Sequence, residues 1–179
     1  MNYFKDARVL LAIFIVACAI GGYFYYSKNY KVNKSNGETL ENIIAKGING
    51  TDISLYDIKD KVILVQFWAP WCRPCIKETP GLVKLYNTFH SSSFSNGNGF
   101  EIFSFSLDQD SVRWKNAIAA LNMNWDYHVN DELMFKSLTA KRLNVASIPT
   151  NILIDKDHTI IGVDLEPEEV EKILLRFKN

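Results

Sequence analysis

Apolar residues gather along this chain in runs whose length and period differ. The first run, Val9 to Tyr26, is apolar or aromatic throughout and is broken only by Gly21-Gly22. Crossing a bilayer as a helix takes ~17–25 residues, so this run is long enough to span. Tyr23, Phe24, Tyr25 and Tyr26 close it as an interfacial aromatic belt does. Residues 1–8 then form a short polar tail, 9–26 a transmembrane anchor, and 27–38 a polar linker of Lys, Asn, Ser and Gly. Residues 39–179 remain for one globular domain of ordinary size.

Inside that domain the period changes from element to element. Turn residues in Lys46–Gly50, followed by alternation over Thr51–Leu55, predict a β-hairpin packed against the domain's start. Val62 to Trp68 is too continuously apolar for a strand with one wet face and fits a central strand buried on both. A helix follows Cys72, with Ile76, Leu82, Leu85, Tyr86 and Phe89 at helical spacing; Pro80 inside it predicts a kink. Ser91–Gly99 reads as a polar loop and Phe100–Leu107 as a strand. Asp110 or Ser111 caps a helix with Val112, Trp114, Ala117, Ile118 and Leu121 inward. Trp125–Val129 reads as a short strand, and Glu132–Leu143 as a helix burying Leu133, Met134, Leu138 and Leu143. Asn151–Ile154 and Thr159–Val163 form a hairpin whose turn puts His158 in the left-handed region. Pro167 opens a last helix with Val170, Ile173, Leu174 and Phe177 as its stripe. The order β-β-β-α-β-α-(β)-α-β-β-α implies an α/β domain: a mixed sheet with helices on both faces.

Charge narrows the partners. Lys+Arg and Asp+Glu number 20 each, so nothing argues for nucleic acid. Basic residues lie on both sides of the first run, Lys5 and Arg8 before it and Lys28, Lys31 and Lys34 after it, so the charge count favours neither orientation. There are three cysteines, Cys18, Cys72 and Cys75, too few and too clustered for a stapled scaffold. A structural zinc site takes about four ligands, whereas one CxxC and the scattered His90, His128 and His158 supply no such set, so neither metal nor cofactor is expected. Cys18 is open to two readings. As part of an uncleaved anchor, which is favoured, it is a small apolar residue. As the end of Ile15-Val16-Ala17-Cys18 it resembles a bacterial lipobox, although the apolar run continues well beyond it. A cleaved signal peptide would need a small-residue cleavage site, and none follows the run.

The chemistry lies in Trp71-Cys72-Arg73-Pro74-Cys75. Cys72 falls at a helix N-terminus, where unpaired N–H groups stabilise a thiolate and can lower its pKa from ~8.5 into the range ~3.5–7.5. Arg73 adds a positive charge beside it. Cys75 lies one turn on, on the same side and deeper. Cys72 is therefore expected to attack a disulfide, and Cys75 to resolve the mixed disulfide. Pro74 fixes the backbone between them at little cost in a first helical turn.

Phe67–Cys75 resembles the active-site segment of the thioredoxin superfamily, and Ile148-Pro149-Thr150 resembles its cis-proline loop. Asp57–Trp68, Glu78-Thr79-Pro80, Ser106–Asp110 and Trp114 resemble the TlpA/ResA-like branch, membrane-tethered thiol-disulfide oxidoreductases of the bacterial envelope. The resemblance covers roughly Leu40 to Phe177. It implies a thioredoxin-like fold with an N-terminal hairpin extension, a central insertion between Cys75 and Pro149, and one preceding transmembrane helix. It implies a cis Pro149 facing the disulfide, with the Ile148 backbone pairing with substrate. An aliphatic residue at Ile148 is closer to the reductases of the family than to its strong oxidases.

Gln66 stands where thioredoxin has a buried aspartate and cannot take a proton. Glu78, three residues after Cys75, is the substitute expected from helical spacing and from the branch. No basic residue lies at its helical neighbours Pro74, Cys75, Gly81 and Leu82. Trp71 is expected at the surface of the site and Trp68 in the core. Trp125, His128 and Phe135 are candidates for a substrate groove, with core packing the more common role for such residues.

The expected function is a membrane-tethered protein-disulfide reductase with an extracytoplasmic catalytic domain. Its substrates would be cysteine-bearing envelope proteins, and a membrane electron donor would keep the dithiol reduced. An oxidase or isomerase with the same site, and a non-catalytic tethered binding module, are the alternatives. A thiol peroxidase is disfavoured, because Ala69 and Pro70 precede the site where related redoxins carry a threonine.

Overall fold

The computed structural model describes residues 7–30 and 34–179, with side chains for 8–22 and 34–179. Residues 1–6 of the expected tail, 31–33 of the expected linker and the side chains of the Tyr23–Tyr26 belt lie outside the described residues. The chain divides into two compact units, Met1–Lys31 and Val32–Asn179. The first is helix α1, Ala7–Tyr30, which continues past Tyr26 into residues read as linker. Cys18 is exposed on it. Among the described residues, no helix is long and apolar enough to cross a membrane.

The second unit is built on a seven-stranded sheet. In chain order its strands are β1 (Ile44–Gly47), β2 (Asp52–Ser54), β3 (Val62–Trp68), β6 (Phe100–Ser106), β7 (Tyr127–Asn130), β8 (Thr150–Ile154) and β9 (Ile160–Val163). Across the sheet they lie β2-β1-β7-β6-β3-β8-β9. β3, β6 and β7 run parallel, and both flanks are antiparallel. β3, apolar except for Gln66, is buried along its whole length, and so is β6 although Glu101, Ser104 and Ser106 interrupt its apolar residues. Helices α2 (Arg73–Phe89), α3 (Ser111–Ala120) and α5 (Pro167–Phe177) cover one face. Residues 40–58 and the short α4 (Leu138–Arg142) cover the other. Fold class, hairpin extension and helices on both faces agree with the expectation.

Several local expectations are corrected. Gly37, read as linker, pairs with the β9 hairpin together with Leu40, Gly37 N–H donating to Ile160 O at 2.8 Å. α2 carries Pro80 in its interior, and its buried stripe uses Thr79, while Ile76 is exposed rather than inward. Ser91–Gly99 is not a plain loop: β4 (Ser93–Phe94) and β5 (Gly97–Asn98) pair there, with Phe94 buried. Asp110 caps α3 by accepting from Val112 and Arg113 N–H, which turns Val112 outward. Glu132–Leu143 is not one helix. Met134 has φ +54°, which a right-handed helix cannot continue through, and Ser137 starts α4 by accepting from Ala140 N–H. Leu133 and Leu138 are consequently exposed, while Leu143 is buried as expected.

One row of the sheet departs from the apolar pattern. Asn151 of β8, Gln66 of β3, Ser104 of β6 and His128 of β7 stand opposite one another in register, all buried. The Trp125 indole N–H donates to Ser104 Oγ, and Ser104 Oγ–H donates to Gln66 Oε1, both at 3.0 Å. Asn151 accepts from Leu165 N–H and donates to Leu165 O, clamping the segment before α5. His128 Nε2 lies 3.1 Å from Met123 O, and burial pushes this imidazole down to about 4.

Candidate active site

β3 carries the chain to the end of the sheet, where Leu107 N–H donates to Trp68 O. The backbone then turns, with Cys72 N–H donating to Ala69 O at 3.0 Å, and α2 begins. Cys72 is the N-cap of α2, in extended conformation, and its Sγ accepts from Cys75 N–H at 3.2 Å. This is the arrangement that stabilises negative charge on sulfur: an N–H of the first turn points at it and the helix dipole adds to it. Pro74 occupies the first turn, where no intrahelical N–H bond is lost. Cys72 and Cys75 are joined in a disulfide, with S–S 2.06 Å. Both cysteines are buried, Cys75 fully and Cys72 with 5% of its surface left accessible, so Cys72 is the less buried of the two.

The antiparallel register pairs Phe67 with Thr150, so β8 starts where β3 ends. That pairing sets the Ile148–Pro149 peptide at the end of the sheet from which the cysteine segment leaves. The peptide is cis, as the motif implies. Ile148 is half-buried and packs against both core clusters. Trp71 is 42% exposed, and its ring meets Phe135 edge-on at 6.4 Å. Trp68, Trp125 and His128 are core residues. Of the proposed groove residues only Phe135 reaches the rim of the site, brought there by the irregular segment after β7.

Glu78 lies one turn below Cys75, half-buried, in a cleft of about 450 Å³. Pro74 and Gly81 of α2 and Glu166 and Pro167 of α5 share that cleft. Burial, and secondarily the Glu166 carboxylate, push Glu78 up to about 7. Nothing in helical spacing pointed to Glu166; it arrives from far along the chain through the packing of α5 on α2. Two residues past β6, Asp108 is buried and accepts from Arg113 at Nε (2.8 Å) and Nη2. Burial opposes its charge, but Arg113 and the Asp110 N–H outweigh that and bring its carboxyl below the usual range.

A thioredoxin-like family model matches residues 60–160, the span that includes the cysteine pair and the cis-proline. The chain belongs to the thioredoxin-like family. Its thioredoxin-like domain and leading segment together are 27% identical to the thiol-disulfide oxidoreductase ResA of Bacillus thuringiensis subsp. konkukian, over 97% of this chain and 96% of that one. ResA of Bacillus subtilis is 26% identical over 84% of this chain and 79% of its own. Among solved structures, the thioredoxin domain of a thiol-disulfide oxidoreductase from Bacteroides vulgatus superposes with TM-score 0.67 at 30% identity, covering 79% of this chain and 99% of that one. A thiol-disulfide oxidoreductase from Bacteroides fragilis gives 0.67 at 26%, covering 78% and 98%. The thioredoxin-like assignment and the resemblance to the TlpA/ResA-like branch agree.

Proposed function

We propose that this thiol-disulfide oxidoreductase is a membrane-tethered reductase of disulfides in cysteine-bearing envelope proteins. The observation that carries the reading is the Cys72–Cys75 disulfide at the start of α2, at the same end of the sheet as the cis Ile148–Pro149 peptide. In the reduced protein the Cys72 thiolate attacks a substrate sulfur. A bond forms between Cys72 and that sulfur, and the other substrate sulfur leaves as a thiolate. Cys75 gives its proton to Glu78, and its thiolate attacks Cys72 Sγ. The mixed disulfide breaks, the second substrate thiolate departs, and the Cys72–Cys75 bond closes. Two electrons pass from the dithiol to the substrate.

Its geometry supports the division of labour: Cys72, the less buried of the two, carries the N-terminal hydrogen bond, and the fully buried Cys75 lies one helical turn before Glu78. Trp71 and the Ile148 backbone would flank the incoming polypeptide. The apolar run Val9–Tyr26 would tether the domain, and a membrane electron donor would re-reduce the pair. No residue is expected to hold a cofactor.

Replacing Cys75 by Ser tests the reading. The variant should accumulate substrates as mixed disulfides on Cys72, released by dithiothreitol and absent from a Cys72→Ser, Cys75→Ser double variant. No trapped thiol protein overturns the catalytic reading. A reduction potential near −120 mV, roughly that of the strongest oxidants, overturns the reducing direction alone.

A further inference from the structure

We infer that Glu166 is a positioning residue for the dithiol: from the N-terminus of α5 it acts on Glu78 across their shared cleft and so tunes proton transfer at Cys75. The inference rests on Glu78 being the proton acceptor.

Three features fix Glu166 in that place. Asn151 grips the backbone of the preceding Leu165 with two hydrogen bonds, 2.8 and 3.0 Å, from a strand that starts at the cis-proline loop. Glu166 is the N-cap of α5, and a capping box ties its side chain to Glu169 N–H while Glu169 Oε2 accepts from Glu166 N–H at 3.0 Å. Finally, α5 meets α2 closely. A Cβ on Gly81 would stand 2.9 Å from Pro167 Cβ, so only glycine admits the approach without something shifting. Gly81 is three residues from Glu78 and shares its helical face. The result is a carboxylate held by its own helix start, facing another that is one turn from the buried thiol.

The other charged groups lining the cleft are Lys77 of α2 and Glu168 of α5. Farther along the two helices, Lys84 and Glu171 pair at 3.5 Å. Glu78 has no ion-pair partner among the described residues. A negative charge opposite it makes its ionised form less favourable, hence a better base once ionised. That matters for the chemistry. A carboxylate of ordinary proton affinity is a poor acceptor from a thiol, and one raised toward neutrality is better matched to it.

The experiment uses the full chain. Carboxyl-labelled glutamate is followed by NMR against pH in the oxidised protein, where neither Cys72 nor Cys75 titrates. In parallel, the rate at which reduced protein closes its disulfide on oxidised glutathione is measured against pH. Glu166→Gln keeps a side-chain acceptor for the cap but removes the charge. It should lower the Glu78 midpoint by on the order of half a pH unit and move the acid limb of the rate profile the same way. High salt should shrink that difference. In a Glu78→Gln background, Glu166→Gln should leave the profile unmoved. If Glu78→Gln alters the profile and Glu166→Gln moves neither midpoint nor profile, the inference about Glu166 falls and Glu78 stands. If Glu78→Gln leaves the profile unchanged, the proton-acceptor reading falls and takes this one with it. An equal shift from Glu168→Gln shows diffuse charge rather than positioning and overturns the inference as well.

Discussion

Glu78 and His128 are half-buried and buried groups whose protonation opposes each other's effect on stability. Glu78 holds its proton more tightly folded than unfolded, up to about 7 against an ordinary 4.5. Between those values the folded state carries more protons, so the stability this group contributes is full below pH 4.5 and is lost as pH rises to 7. His128 is pushed down from 6.5 to about 4, and its contribution is lost as pH falls through that interval. Glu78→Gln should therefore gain on wild type in urea midpoint as pH rises from 4.5 to 7, and match it below. Parallel curves would show that Glu78 titrates normally. Glu78 was legible because helical spacing puts it one turn from Cys75. Its partner Glu166 was not, since contacts between distant helices leave no period in a sequence.

At the level of elements, legibility followed burial on both faces. β3 announces itself by an apolar run broken only at Gln66, β6 by its alternation, and α5 by its stripe. The stretch after β7 does not, because Leu133 and Leu138 keep helical spacing while Met134 takes a left-handed backbone that breaks the helix between them. The β4–β5 hairpin escaped for a different reason: its strands are two residues each, too short to show alternation. The α2–α5 contact yields a prediction. Gly81→Ala gains helix propensity of ~1 kcal/mol but forces a methyl to 2.9 Å from Pro167, and such overpacking costs ~1–3 kcal/mol. Urea denaturation should show net destabilisation of ~1 kcal/mol, along with a lower Glu78 midpoint as α5 is pushed away. A stabilised variant would mean that α5 yields at no cost.

For the whole molecule, the cysteine motif and the cis-proline lie far apart in sequence, and β3–β8 pairing brings them together at one end of the sheet. Two motifs sufficed to expect this juxtaposition because the fold needs only one strand register to join them. The proposed tether makes a prediction at this scale. In detergent phase separation the full chain should enter the detergent-rich phase, and residues 34–179 alone should stay in the aqueous one. Equal partitioning would remove the anchor. The row Asn151, Gln66, Ser104 and His128 has a consequence for how those strands find each other. If any one of the four strands slid by a single residue, its amide, hydroxyl or imidazole would turn to the opposite face, among Ile63, Val65, Phe103 and Ile152. Each polar group left there without a partner costs ~1–3 kcal/mol. The row thus works as a checksum on alignment: the Ser104–Gln66 bond and the Asn151 clamp on Leu165 are kept in the register that also sets Pro149 at the cysteine end of the sheet.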